Sequence, residues 1–224
     1  MPTGNRSAAA QGTAPAAPGR DCPACPRLAD FRAGSRRAEP AWHNAPVPSF
    51  GALDVPLLIV GLAPGLRGAN RTGRPFTGDY AGDLLYATLA ALGLADGTYG
   101  ARADDGFALR GCRVTNAVRC VPPENKPTGD EIRACNGFLA AELAAMPRLR
   151  AVLALGSVAH GAVLAALGLT KSRFKFAHGA RHAIGGGRTL VDSYHCSRYN
   201  TSTKVLTPAM FGDAVRIARD LARG

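Results

Sequence analysis

The segment Val55-Pro-Leu-Leu-Ile-Val60 offers no polar residue to either face of a strand, and this limits the folds open to the chain. A strand with one wet face alternates, whereas an unbroken apolar run fits a parallel sheet clad by helices on both sides. The chain then changes character, into Gly61-Leu-Ala-Pro-Gly-Leu-Arg-Gly-Ala-Asn-Arg-Thr-Gly-Arg-Pro-Phe-Thr-Gly-Asp79, which is too rich in Gly, Pro and Arg for a core. Open α/β sheets bind ligands at the carboxyl ends of their strands, so this stretch is expected to be an active-site loop. Its glycines, Gly61, Gly65, Gly68, Gly73 and Gly78, allow close backbone approach, while Arg67, Arg71 and Arg74 supply planar donors suited to phosphate. Phe76, among Pro75, Thr77 and Gly78, is an odd aromatic to leave in solvent.

Strand-like runs at Leu57–Gly61, Arg113–Val118, Val152–Gly156 and Thr189–Tyr194 alternate with helical runs at Gly82–Leu94, Thr128–Leu143, Ser157–Leu167 and Pro208–Ala222. Thr128 followed by Glu131 forms a capping box, and Pro208 after Thr207 suits a first turn. Alternation of this kind implies an α/β fold with a parallel sheet flanked on both faces. Residues 1–20 are dominated by Ala, Gly, Pro, Ser and Thr, with Arg6 and Arg20 the only charges, and are expected to form a disordered tail before a single domain over residues 21–224. Twenty-seven Lys plus Arg against sixteen acids give a net charge of +11, which points to an anionic partner, although Arg- and Ala-rich coding sequences also yield basic proteins without one. No apolar run reaches the roughly twenty residues of a membrane span, and Met1 to Gly19 has no apolar signal segment. A soluble, cytoplasmic protein is expected.

Two more polar loops follow strands. Thr115-Asn-Ala-Val-Arg-Cys-Val-Pro-Pro-Glu-Asn-Lys-Pro127 comes after the second, and His195-Cys-Ser-Arg-Tyr-Asn-Thr201 after the fourth. In a parallel sheet all three loops gather at one edge, so Phe76, Asn116 and His195 converge despite their distance in sequence. An Asn amide presents both an acceptor and donors to the edge of a pyrimidine, and an aromatic ring stacks on its face. A His donates to an oxygen that gains charge.

Cys22 and Cys25 form a Cys-x-x-Cys pair, while Cys120 and Cys135 stand fifteen positions apart. This suggests four ligands from distant segments, since a cytosolic chain would not keep them as disulfides. Four thiolates hold zinc or a [4Fe–4S] cluster, and spacing alone does not separate the two. Cys112 and Cys196 read as ordinary small residues, His160 as a packing or surface residue, and His178 and His182 as solvated members of the basic stretch Lys171–Arg188.

Taken together, Gly61-Leu-Ala-Pro-Gly running into Arg71-Thr-Gly-Arg-Pro-Phe-Thr-Gly-Asp79, Thr115-Asn-Ala-Val-Arg-Cys120, His195-Cys-Ser-Arg-Tyr-Asn-Thr201 and the four cysteines resemble the uracil-DNA glycosylase superfamily, and within it the iron–sulfur family 5, or type B, enzymes. The resemblance covers about residues 20–220. It implies a three-layer α/β/α fold with a four-stranded parallel sheet, a structural [4Fe–4S] cluster on Cys22, Cys25, Cys120 and Cys135, and removal of uracil and some other deaminated bases from DNA; tolerance of Ala63 suggests loose base selection that includes hypoxanthine, and a monomer acting on double- and single-stranded DNA is expected.

Carried over residue by residue, Phe76 resembles the ring that stacks on the extruded base, Asn116 the group that reads its polar edge, and His195 the group that stabilises its departure. Gly61, Ala63 and Gly65 match the water-binding, backbone-donor loop. Ala63 stands where many relatives carry a carboxylate or amide, which leaves Asn70 and Asp79 as the polar candidates for positioning water. Arg71, Arg74 and Ser197 are implied to hold phosphate, with Arg198 and Tyr199 at a tip that enters the helix, and Cys196 replaces the Pro more usual after the histidine. Two other readings fit the residues alone: a non-catalytic, zinc-containing nucleic-acid module, and an α/β enzyme acting on phosphorylated small molecules. The second lacks a Gly-x-x-x-x-Gly-Lys-Ser/Thr loop.

Overall fold

The computed structural model describes residues 15–224; the expected tail falls mostly on residues 1–14, outside the described residues. The elements in order are α1 (Pro26–Ala38), β1 (Leu57–Gly61), α2 (Ala69–Thr72), α3 (Tyr80–Ala91), β2 (Ala95–Asp96), β3 (Ala108–Leu109), β4 (Cys112–Asn116), α4 (Gly129–Ala144), β5 (Ala151–Leu155), α5 (Ser157–Ala166), β6 (Arg181–Ala183), β7 (Thr189–Ser193), α6 (Arg198–Ser202) and α7 (Pro208–Arg223). The main sheet runs β4-β1-β5-β7-β6. Its first four strands are parallel, as expected, and β6 adds a short antiparallel edge. That edge exists because Gly185, Gly186 and Gly187 all take left-handed φ and turn the chain back as a hairpin.

Strand β1 is buried at every position, and its residues divide between the two faces of the sheet. Leu57 and Ile59 pack with Leu85 and Leu89 of α3 and Phe211 and Val215 of α7. Leu58 and Val60 pack with Leu139 and Leu143 of α4 and Val163 and Leu164 of α5. This is the three-layer α/β/α arrangement, and it explains why no polar residue is tolerated in the run. The capping box of Thr128 and Glu131 opens α4, and Pro208 sits in the first turn of α7 behind the Thr207 cap. Helix α1 was not legible as an amphipathic run because two of its three buried residues, Arg32 and Ser35, are polar. Among the described residues no helix is long and apolar enough to cross a membrane.

Neighbours of β1 lie on both sides, β4 and β5, so the chain diverges above its carboxyl end. In the β1–β4 register Gly61 faces Asn116. Gly156 after β5 and His195 after β7 leave the sheet at the same edge, with Gly156 N–H bonded to Ser193 O.

Candidate active site

Above that edge lies a cavity of about 730 Å³, lined by Leu62, Ala63, Gly65, Leu66, Arg67, Gly68, Phe76, Asp79, Tyr80, Ala81, Asn125, His195, Ser197 and Arg198. Three loops build it, as the sequence suggested. The rings of Phe76 and His195 are near-parallel, 26° apart with centroids 6.1 Å from each other. Beneath them, Gly61 explains itself: a Cβ there would stand 2.3 Å from the Phe76 ring and 2.5 Å from Asn116 Oδ1. Only a glycine lets ring and amide meet over the end of β1. Asn116 Oδ1 is buried with no hydrogen-bond partner among the described residues, an arrangement that is costly unless a ligand completes it.

His195 is surrounded closely enough that burial pushes its pKa down to about 4, so the ring is neutral near pH 7. The chain is tied on its carboxyl side: Asn200 Nδ2 donates to His195 O at 2.8 Å, and the thiol of the next residue, Cys196, donates to Ala81 O at 3.5 Å. The cysteine thus anchors the histidine loop to α3. Asp79 caps α3, its Oδ1 accepting the Gly82 N–H at 3.0 Å. Its other oxygen, Oδ2, would be 2.5 Å from a Cβ on Gly68 and 3.1 Å from one on Gly65, so these glycines make room for the carboxylate. Burial, and then Asp83, raise the Asp79 pKa against the opposing Gly82 bond.

Some expected residues are elsewhere. Asn70 is buried behind the cavity lining, its amide donating to Asn44 Oδ1 at 2.8 Å and its backbone N–H to Gly65 O, so it braces the loop, while its Oδ1, like that of Asn116, has no partner among the described residues. Arg74 does not meet solvent, let alone DNA: it forms a bidentate pair with Asp105 at 2.8 and 2.7 Å, each side chain 5% exposed. Its partner comes from a distant hairpin loop, which is why spacing pointed the other way. Arg67 and Arg71 are exposed beside the cavity, with Arg71 Nε bonded to Arg67 O. Ser197 caps α6, Arg198 lies over the Tyr80 ring at 5.3 Å, and Tyr199 is 74% exposed.

Two features escaped sequence reasoning. Asn125, in the loop after β4, holds left-handed φ of 58° and lines the cavity; its place behind a strand end was the available signal. His160 packs in the interior, one of its two expected readings, whereas His182 and His178 are not solvated: His160 Nδ1 and His182 Nε2 bond the two oxygens of buried Asp192 at 2.8 and 3.0 Å, and His160 Nε2 bonds Phe174 O. His178 Nδ1 accepts the Tyr194 N–H at 3.2 Å. Each of these contacts reaches ten or more residues along the chain, which histidine spacing does not reveal.

The four expected cysteine ligands surround one enclosed gap with Leu28, Arg32, Val118 and Phe138. Cys25 caps α1, Cys120 follows β4 and Cys135 lies on α4; Ala63 packs against this corner from the cavity side. Arg32 Nη1 donates to Cys120 Sγ at 3.3 Å and the Arg119 N–H to Cys135 Sγ at 3.4 Å. Burial, and then the neighbouring thiols, push Cys25 up to about 11, so thiolates gathered here call for a cationic core between them. Cys112 stays apart, bonded to Leu94 O.

The profile of the "Uracil DNA glycosylase superfamily" matches residues 48–219. Type-5 uracil-DNA glycosylases from Thermus thermophilus, Mycobacterium leprae and Pyrobaculum aerophilum are 47%, 44% and 41% identical to the chain. The alignments cover 90%, 90% and 88% of this chain and 94%, 91% and 88% of those relatives. With the sheet order, the stacked Phe76 and His195 and the unpartnered Asn116 amide already in place, this likeness extends over the whole α/β/α domain, and the chain belongs to the uracil-DNA glycosylase superfamily, among its type-5 members.

Proposed function

We propose that this protein is a monofunctional DNA glycosylase that releases uracil, and hypoxanthine as well, from DNA and so initiates base excision repair. The observation that carries the reading is the buried, unpartnered Asn116 Oδ1 beside an aromatic ring and a neutral imidazole. Uracil N3–H supplies the missing donor, the Phe76 ring stacks on the base, and His195 N–H donates to a base oxygen.

The base is out of reach inside a duplex, so it is swung out at a cost of a few kcal/mol, least when mispaired. Arg67, Arg71 and the Ser197 loop hold backbone phosphate, and Arg198 and Tyr199 fill the gap left in the stack. The C1′–N1 bond then breaks with its electron pair going to the base, leaving positive charge on the sugar. His195, neutral at the outset, stabilises the developing anion by a hydrogen bond that strengthens as charge grows. Water adds to C1′, its hydroxide staying on the sugar and its proton passing through Asp79 to the departing base anion; Asp79 Oδ2, facing Gly65 and Gly68, is the group that orients that water. Asn70 has no part in this step.

Cys22, Cys25, Cys120 and Cys135 would hold a [4Fe–4S] cluster, whose contribution is to tie α1, the segment after β4 and α4 into one corner. Zinc in a tetrahedron of thiolates, with Zn–S about 2.3 Å, brings its sulfurs within about 3.8 Å. Among the described residues no three of these thiols have their sulfurs within 4.8 Å of one another, and we read the four as the ligands of the larger cluster. We read the catalytic domain as residues 21–224, acting as a cytoplasmic monomer, a setting in which six unpaired thiols persist.

Chromatography of free base released from oligonucleotides carrying one uracil or one hypoxanthine, with iron and sulfide analysis of the same sample, tests the proposal. Release of both bases by iron-loaded protein is expected. Strict uracil release contradicts the broad range, and zinc in place of iron contradicts the cluster.

A further inference from the structure

The turn that carries Phe76 is held by a device with no place in the chemistry. Phe76 has φ +56°, a left-handed conformation ill-suited to an aromatic residue, so its surroundings must impose it. Gly82 of α3 presses on one side: a Cβ there would be 1.5 Å from Phe76 O. On the other side stands the loop of the β2–β3 hairpin, residues 97–107. Its Asp105 accepts both Arg74 Nη groups and also the N–H groups of Gly100 and Phe107, at 2.9 and 3.0 Å, so all its bonding directions are used. Arg74, thus fixed, donates through Nε to Thr77 Oγ1 at 2.8 Å, one residue beyond Phe76. The guanidinium is boxed by the rings of Phe50, Tyr86, Tyr99 and Phe107, 5.1–5.9 Å from its carbon. Two of those rings grip the turn: the Tyr86 hydroxyl donates to Pro75 O, and the Tyr99 hydroxyl accepts the Gly78 N–H at 3.2 Å and reaches Phe76 O at 3.5 Å.

We propose that Asp105 is a positioning residue for base release, fixing Arg74 and its aromatic box so that the Phe76 ring is held parallel to His195 over Asn116. The inference rests on the reading of Phe76 as the base-stacking group. It assigns the β2–β3 hairpin, which lines no part of the cavity, a role in setting the site's geometry. An isolated buried arginine would be expensive, so the pair with Asp105 is what lets an arginine occupy this position at all.

The test is a double-mutant cycle on the holoenzyme, read as the single-turnover rate of uracil release from a duplex. Asp105→Asn alone is expected to slow release by about tenfold to a hundredfold, the size of effect that small misplacements of a reacting group produce. Phe76→Ala is slow as well, and adding Asp105→Asn to it is expected to change the rate by less than about twofold, because the residue acts through a ring no longer present. Affinity for an undamaged duplex stays at the wild-type value in Asp105→Asn. Equal slowing in both backgrounds, or a wild-type rate for Asp105→Asn, overturns the positioning role and leaves the reading of Phe76 standing. A wild-type rate for Phe76→Ala removes that reading, and the positioning role with it. If Asp105→Asn does not fold, Tyr99→Phe carries the same cycle, since it removes only the hydroxyl that grips the turn.

Discussion

The loop after β1 and the loop after β7 both border the same cavity and both hold arginine and an aromatic residue, yet they are built in opposite ways. In the first, Arg74 is sealed beneath the surface with Asp105, and Phe76 is pinned in a left-handed conformation against Gly61 and Gly82. In the second, Arg198 and Tyr199 stand exposed on a helix of five residues. Under the proposed function, the difference follows from what each would meet. A base edge has one shape and rewards a rigid wall prepared before it arrives, because ordering a loose wall would subtract from binding. A gap in a base stack varies with sequence, and stacking tolerates that variety.

The largest expected contrast lies between the two arginines themselves. Removing Arg74 with Arg74→Ala leaves the buried Asp105 carboxylate without its counter-charge, held only by the Gly100 and Phe107 N–H groups, which is expected to cost up to about 3–5 kcal/mol of stability. Thermal or denaturant unfolding measures this, and the salt dependence of DNA affinity should not change; a stable variant with a weaker salt dependence would return Arg74 to the DNA surface. Next, His195→Ala removes a donor to the departing base, worth about 2.7–4 kcal/mol, and is expected to lower the single-turnover rate about a hundredfold or more while folding is intact. Tyr199→Ala tests the exposed loop. It should slow uracil release from duplex by about tenfold, in line with one stacking contact of about 1–3 kcal/mol, and leave release from single strands nearly unchanged. Equal losses on both substrates would make Tyr199 part of the base pocket. The smallest effect is expected from Arg71→Ala, an exposed residue proposed to contact phosphate, which should reduce the salt slope of binding by about one and little else.

The rigid wall also has a pH signature. His195 is depressed to about 4 by burial, so the folded state resists its protonation while the unfolded chain takes the proton near pH 6.5. The unfolded state therefore binds more protons between about pH 6.5 and 4, and this group's contribution to stability is complete above that window and is lost as pH falls through it. The His195 ring signal, followed by NMR, should titrate near pH 4 in the free enzyme; titration near 6.5 would mean that the ring is open to water.

Much of this was legible in the residues. The unbroken run at β1 announced a doubly covered strand, and the placement of three polar loops after strand ends brought Phe76, Asn116 and His195 together correctly. The glycines were legible as close approaches, but not what approached: the Phe76 ring and Asn116 at Gly61, and Asp79 at Gly65 and Gly68. What stayed hidden depends on partners distant in sequence. Arg74 resembles its neighbours Arg67 and Arg71 until Asp105 folds over it, and Asn70 looks as free as Asp79 until Asn44 takes its amide. The antiparallel edge strand was missed although its three successive glycines were in view, because the strand itself is only three residues long.

The central claim is that one preformed wall, Asn116, Phe76 and His195, takes an extruded uracil and stabilises its departure. Single-turnover strand breakage after alkali, on a duplex with one uracil opposite guanine, tests it most directly when wild type and His195→Ala are run side by side. The account predicts breakage only at the uracil, fast for the wild type and about a hundredfold or more slower for the variant. No breakage by folded, cluster-loaded wild type, or an equal rate for the two proteins, would contradict it.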